Sequence, residues 1–303
     1  MFNRVIVAIL FLLFSPINFA DTYRTEIRVE ADHADFLGFD ENKYILEAKV
    51  YRDEIKFESN FPVYLRSFTH FSSSVVNGYG VKDINDDDNS FDRDRFEKYL
   101  GFTQFVGMSG IFLKGRVFDN RQETTRSKAL LKKEEGDAFV ISVGRNFIRQ
   151  GQIEFLMKKE NINATFIAIE QGSFFFRKRI ETISYSVKGT QIFESPWYGH
   201  WFSFSGDFSR LNREDSNTLS KEREERIDFT ARYHYFLNTI SFNHIHSTSD
   251  KVNSSGDFKA YGLSWAYDFN ALTSAEVSWF RKLYDVDTVG EETKISLGVN
   301  FRF

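Results

Sequence analysis

Charged side chains alternate with apolar side chains along several segments of this sequence, for example across residues 23–31. In a β-strand successive side chains point to opposite faces, so such a segment has one apolar face and one charged face. A face with fixed charges of both signs, lining a closed barrel, would select small solutes by size and electric field. We therefore predict a lumen lined by Arg24, Glu26, Arg28, Glu30, Glu47, Lys49, Arg66, Lys114, Arg116, Lys188, Asp228, Arg232, His234, Glu276, Lys294 and Arg302.

The same charges allow a second interpretation. Opposite charges on neighbouring strands can pair and fill a narrow barrel instead of lining a passage. A barrel of about fourteen strands is wide enough for an aqueous passage, so we favour the open lumen.

The six histidines suggest no catalytic or metal site. The stretch His244-Ile245-His246-Ser247 is the one that resembles a His-Ser arrangement, but alternation places His244 on the face of Ile240 and Phe242. His244 and His246 would point their rings to the same side, yet no third metal ligand is evident. We predict no catalytic residue, no metal and no cofactor, and expect that the protein is not an enzyme.

Three other charged segments suggest ligands. The acidic residues 83–89 resemble a calcium loop but lack its turn glycine and its distal glutamate, so we interpret them as a solvated loop. Basic clusters stand at Lys132-Lys133, at residues 177–179 and at Arg223 with Arg226. They could bind lipopolysaccharide phosphates or be ordinary solvated charges, and the sequence leaves both interpretations open.

The elements that must position these residues are β-strands. The clearest is the last, where Ile295, Leu297, Val299, Phe301 and Phe303 alternate with polar residues up to the chain end. The pattern predicts an all-β, transmembrane, antiparallel up-and-down barrel of about fourteen strands, within a range of 12–16. The predicted strands lie near 22–33, 43–54, 62–80, 95–105, 110–120, 138–148, 152–161, 179–193, 198–211, 222–236, 239–249, 257–269, 273–286 and 292–303.

The connections between these strands predict the orientation. Long polar loops at 82–94, 121–137, 212–225, 250–257 and 285–292 alternate with short links, and bacterial barrels have long outer loops and short periplasmic turns. Residues 161–178 could add one hairpin, which would give sixteen strands. Both termini and an aromatic girdle that includes Trp197 and Tyr235 are expected at the short-turn end.

The N-terminus and the composition agree with export. Residues 1–20 have a short apolar block and end on Ala20, which predicts a signal peptide cleaved there and a barrel over 21–303. Aromatic residues make up 17% of the chain, with 35 Phe and no Cys, a mixture typical of barrels with a lipid face and a wet face. The net charge of −4 argues against a nucleic-acid partner.

The layout resembles Gram-negative general porins of the outer membrane. The resemblance rests on the signal peptide, the segments 63–68, 72–75 and 78–80, and the terminal residues 298–303. It implies a channel for passive diffusion of small hydrophilic solutes, in contact with outer-membrane lipid and lipopolysaccharide, with a homotrimer as a candidate state. It also implies that the barrel-assembly machinery recognises Leu297, Val299, Phe301 and Phe303. The alternatives are a barrel enzyme of lipase or protease type and a non-conducting structural or adhesion barrel.

Overall fold

The computed structural model describes residues 22–36, 39–56, 62, 71–86, 91–126, 129–148, 150–168, 174–215, 221–250, 257–270, 272–284 and 291–303. Within these ranges the chain forms fourteen antiparallel strands. Each strand pairs with its neighbours in sequence, and β1 pairs with β14 to close the barrel. The predicted fold class and strand number are confirmed, whereas the predicted signal peptide lies outside the described residues. The strands are β1 (Thr22–Phe36), β2 (Phe39–Lys56), β3 (Ser74–Asp86), β4 (Phe91–Phe105), β5 (Ile111–Arg126), β6 (Ala129–Phe147), β7 (Gly151–Ala168), β8 (Phe174–Glu194), β9 (His200–Asp215), β10 (Lys221–Tyr235), β11 (Asn238–Ser249), β12 (Phe258–Asp268), β13 (Thr273–Tyr284) and β14 (Glu291–Arg302).

Several strands extend well into the segments predicted as long polar loops. Strands β5 and β6 stay paired as far as Arg126 and Ala129, and β9 and β10 as far as Glu214 and Lys221. Polar residues form these extensions because cross-strand partners satisfy them: Lys221 Nζ, for example, lies 2.7 Å from Glu214 Oε1. The predicted loop bounds were therefore wrong at both hairpins.

The extra hairpin proposed for residues 161–178 is not formed. Strands β7 and β8 instead remain paired to Ala168 and Phe174, so this region lengthens one hairpin. The structure also begins β3 at Ser74, while residues 63–70 of the predicted third strand lie outside the described part of the chain.

The outward face of the barrel is apolar over a band that we call the apolar belt. Its side chains are exposed although they are large and hydrophobic, as Leu46 (52%), Leu100 (54%) and Phe155 (52%) show. A closed sheet with such a surface needs hydrocarbon outside, and its ring of hydrogen bonds leaves no open edge in the bilayer. Among the described residues, no helix is long and apolar enough to cross a membrane. Other belt members include Val117, Ile141, Val187, Phe208, Ile227, Phe242, Leu263, Trp279 and Ile295.

Tight turns join the strands at the end that also holds both termini of the barrel. In the β4–β5 turn, Gly110 has φ +73°, and a Cβ on it would lie 2.2 Å from the carbonyl oxygen of Asn146. Glycine is therefore required where this turn packs against β6. Trp197 (68%) and Phe303 (58%) are exposed at the same end.

The last strand completes the ring. The amide of Phe303 donates to the Thr25 carbonyl at 2.7 Å, and the Arg24 amide donates to the Phe303 carbonyl at 2.6 Å. Leu297 is 39% exposed, whereas Val299 and Phe301 are buried against the rest of the structure. Their recognition by assembly machinery stays a prediction.

Candidate functional site

The inward faces of the strands form the candidate site. Strand register places Glu26 opposite Lys49 and Arg302, and Arg28 opposite Glu47 and Asn300. These positions alternate with the apolar belt, so the charged row predicted for β1 turns into the barrel from Glu26 onwards.

Arg24 departs from this row because the β1–β2 register shifts between Tyr23 and Thr25. As a result Tyr23 turns inwards and packs its ring against Tyr51, with 5.7 Å between the centroids. The Arg24 side chain is 60% exposed and lies 3.7 Å from Glu54. The structure therefore places Arg24 away from the inward row, because the irregular pairing interrupts the alternation that predicted it.

One polar cavity lies along the closure between β1 and β14, and we call it the seam cavity. It encloses about 470 Å³. Its charged lining combines the carboxylates of Glu26, Glu47 and Glu276 with the cationic groups of Arg28, Lys49, Arg232 and Arg302. These seven residues were all predicted from sequence, and the fold brings them together from five strands.

A second polar cavity, which we call the opposite cavity, lies against β5 and β7–β10. It encloses about 400 Å³ and also has Arg232 in its lining, so this side chain stands between the two cavities. Its other charged residues are Lys114, Glu154, Lys188, Asp207 and Asp228.

Glu154 and Asp207 were missed at the sequence level. Each acid lies next to outward apolar residues along its own strand: Ile153 and Phe155 flank Glu154, and Phe208 follows Asp207. That alternation was the signal that could have identified them.

Ion pairs hold many inward charges in place. Lys114 Nζ lies 2.8 Å from Glu154 Oε2, which also accepts from Gln152 at 2.7 Å. Lys294 Nζ lies 2.6 Å from Asp32, and Arg28 lies 2.5 Å from Glu30. Both arrangements, a charged lining and a paired network, are thus present in one barrel.

The Tyr99 side chain contacts residues of β2, β3 and β5 from its own strand β4, beside the seam cavity. Tyr99 crosses β3 at Gly78, where its Cζ lies 2.0 Å from the position that a Cβ would occupy. Its hydroxyl donates to Glu47 Oε2 at 2.5 Å, and the Arg116 guanidinium lies 4.6 Å from the ring centroid. This contact fixes the Glu47 carboxylate and the predicted lining residue Arg116 relative to each other.

His234 has no exposed surface, although its strand position is inward. Its ring lies between Ser203, at 3.1 Å from Nε2, and Thr239, at 2.9 Å from Nδ1. This Ser-His contact is closed to solvent, which indicates a structural role. His244 lies on the outward face and stacks on Tyr261 with 4.9 Å between the centroids.

The remaining candidates fall in other places. Arg66 and residues 87–89 of the acidic segment lie outside the described residues. The described part of the chain has no group of three side chains able to hold a metal ion. In the basic clusters, Lys178 turns inwards to Asp215 at 2.5 Å and Arg226 to Asp228 at 2.7 Å, whereas Arg223 is on the outward face with Glu225.

Comparison with known proteins shows the fold and leaves the activity open. No family model and no curated protein matches the sequence. The outer-membrane protein Omp33 of Acinetobacter baumannii has a similar structure at 10% identity, with a TM-score of 0.52 over 94% of this chain and 100% of that one. The CymD monoaromatic hydrocarbon channel gives 0.59 at 7% identity over 93% and 89%, and the beta domain of the Bordetella autotransporter BrkA gives 0.50 at 8% over 94% and 100%. The chain is therefore similar in fold to outer-membrane barrels with different roles.

Proposed function

We propose that this protein is a bacterial outer-membrane channel for the passive diffusion of small hydrophilic solutes. The observation that carries the proposal is that polar cavities lie inside the closed barrel and that two of them share Arg232 in their lining. Volumes of about 400 and 470 Å³ are in the range of small-molecule sites, so a solute of that size fits each one.

The charges suggest which solutes pass. The opposite cavity has three carboxylates, of Glu154, Asp207 and Asp228, and three cationic groups, of Lys114, Lys188 and Arg232. This balance favours polar neutral or zwitterionic solutes over ions of one sign. Permeation needs no covalent step, because fixed charges and lumen width act on the passing solute.

The same proposal includes export of the protein to the outer membrane. Residues 1–20 would be removed, the barrel would insert with its turn end towards the periplasm, and the assembly machinery would bind the last strand. A homotrimer stays a prediction.

Recording from planar bilayers tests the channel. The purified barrel should give stepwise openings, while the same preparation unfolded by heat should give none. Bilayers that stay silent with correctly folded protein would contradict the proposal.

The ion-pair network favours one second candidate, a structural barrel that does not conduct. Lys294 and Asp32 could hold neighbouring strands together, and Lys114 and Glu154 could connect β5 with β7 across β6. The same recording separates the two candidates, because a structural barrel inserts without openings.

A further inference from the structure

A cluster of basic side chains lies on the outward face of β6–β8, towards the loop end. Lys133, Thr165 and Arg177 stand side by side in register, and Glu135, Asn163 and Arg179 form the next row. We call these six residues the basic patch. With three cationic groups and one carboxylate, the patch has a net charge of +2.

These six residues line a cavity of about 520 Å³, to which Ala164 and Lys178 also contribute. Lys133 Nζ lies 3.1 Å from Glu135 Oε1, which fixes the one acidic group of the patch at its edge. Asn163 and Thr165 add neutral hydrogen-bonding groups. The cavity thus combines guanidinium and ammonium donors with groups suited to hydroxyls.

The acids directly below the patch are already engaged. Glu181 lies 2.8 Å from Lys159, and Asp137 accepts from the Asn161 amide at 3.3 Å. These contacts reduce the repulsion that an anion would meet while approaching the patch from the membrane side.

The other side of the barrel has the opposite charge at the same end. Asp35 faces Asp40 across β1 and β2, and Asp83 faces Asp94 across β3 and β4. An anion is therefore drawn to β6–β8 and repelled from β1–β4.

The height of the patch above the belt indicates the kind of lipid. On β8, Arg179 and Arg177 lie four and six residues closer to the loop end than Ile183, the nearest apolar outward residue on the side of the apolar belt. At about 3.3 Å per residue and a tilt of about 40°, they lie about 10–15 Å above Ile183, which we take as the edge of the apolar belt. A phospholipid head-group layer is only about 5–8 Å thick, so a phosphate at this height must belong to a larger head group.

We propose that the basic patch binds the phosphorylated saccharide head group of an outer-leaflet glycolipid, that is, lipopolysaccharide. Arg177 and Arg179 bind phosphate oxygens in charge-assisted hydrogen bonds, Lys133 adds a point charge, and Asn163 and Thr165 contact sugar hydroxyls. The proposal rests on insertion in the outer membrane and is independent of conduction.

Lipid titration of the detergent-purified barrel, followed by native mass spectrometry, tests this site. The probe is rough lipopolysaccharide with phosphorylated inner-core sugars, compared with its dephosphorylated form and with phosphatidylglycerol. The combined variant Lys133→Gln, Arg177→Gln and Arg179→Gln should weaken binding of the phosphorylated form at least about tenfold, since each charged hydrogen bond contributes strongly.

The matched control removes three outward cationic groups from other strands, with Lys98→Gln, Lys259→Gln and Arg281→Gln. It should change the affinity by less than about twofold, because these residues lie outside the patch. Heat-modifiable migration on gels verifies that both variants are folded. Equal losses in the two variants, no loss in either, or equal binding of phosphatidylglycerol would overturn the proposal.

Discussion

Reversing the charge of Arg28 should make the proposed channel select for cations. Arg28 lines the seam cavity, and its side chain is 49% exposed beside Glu30. The change Arg28→Glu alters the charge of the lining by two units without adding bulk, so its effect on a passing ion can be estimated from the cavity size.

A sphere with the volume of the seam cavity, 470 Å³, has a radius of about 5 Å. An ion at its centre therefore lies about 5 Å from the lining. At that distance the interaction energy between the ion and one unit charge is about 0.8 kcal/mol in water. A change of two units therefore lowers the energy of a cation by about 1.7 kcal/mol and raises the energy of an anion by the same amount. Screening over about 8 Å at 0.15 M salt reduces the combined effect to about 1.8 kcal/mol, or about twentyfold in the permeability ratio. At 1 M salt the same calculation leaves about threefold.

Reversal potentials in a salt gradient, recorded at both ionic strengths, measure this shift. The matched control is Arg24→Glu, the same substitution on the same strand at a side chain that pairs with Glu54 away from the lumen. It should shift the permeability ratio by less than about twofold. An unchanged ratio in the Arg28 variant, or an equal shift in the Arg24 variant, would refute the assignment of the inward face.

Three further predictions concern other parts of the barrel. Arg232→Ala removes the side chain between the two cavities and should raise the single-channel conductance; an unchanged conductance would mean that this residue does not restrict the path. Leu297→Arg places a charge on the lipid side at a cost of about 2–4 kcal/mol and should lower the folded fraction on gels, while Asn300→Arg on the inward face should fold normally. Gly78→Ala should displace the Tyr99 ring and lower the free energy of unfolding in urea by about 1–3 kcal/mol. The loss should be smaller in a Tyr99→Ala background, and additive losses would contradict the contact.

The regular part of the fold could be predicted because its physical cause is local. Alternation with a period of two, as at Ile295, Leu297 and Val299, reports that one face meets lipid and the other does not. That information is repeated in each hairpin, so the strand number and the antiparallel order followed from it.

Strand ends were harder to predict because pairing beyond the bilayer does not need an apolar face. Lys221 and Glu214 continue their strands through contact with each other, and such a contact has no periodic signature in either segment. Apolar residues within 161–178 suggested an added hairpin for a different reason: they extend β7 and β8 beyond the predicted strand ends.

By itself, the amino-acid sequence determined the closed antiparallel barrel, its fourteen strands and most of the charges that line the two cavities, because side-chain alternation depends only on neighbours along the chain. Tertiary structure alone decided the rest: that Arg24 leaves the inward row, that Tyr99 crosses Gly78 to reach Glu47, that Arg232 stands between two cavities, and that Lys133, Arg177 and Arg179 meet on the outside. These features depend on register between strands distant in sequence, and register is fixed only when the ring closes.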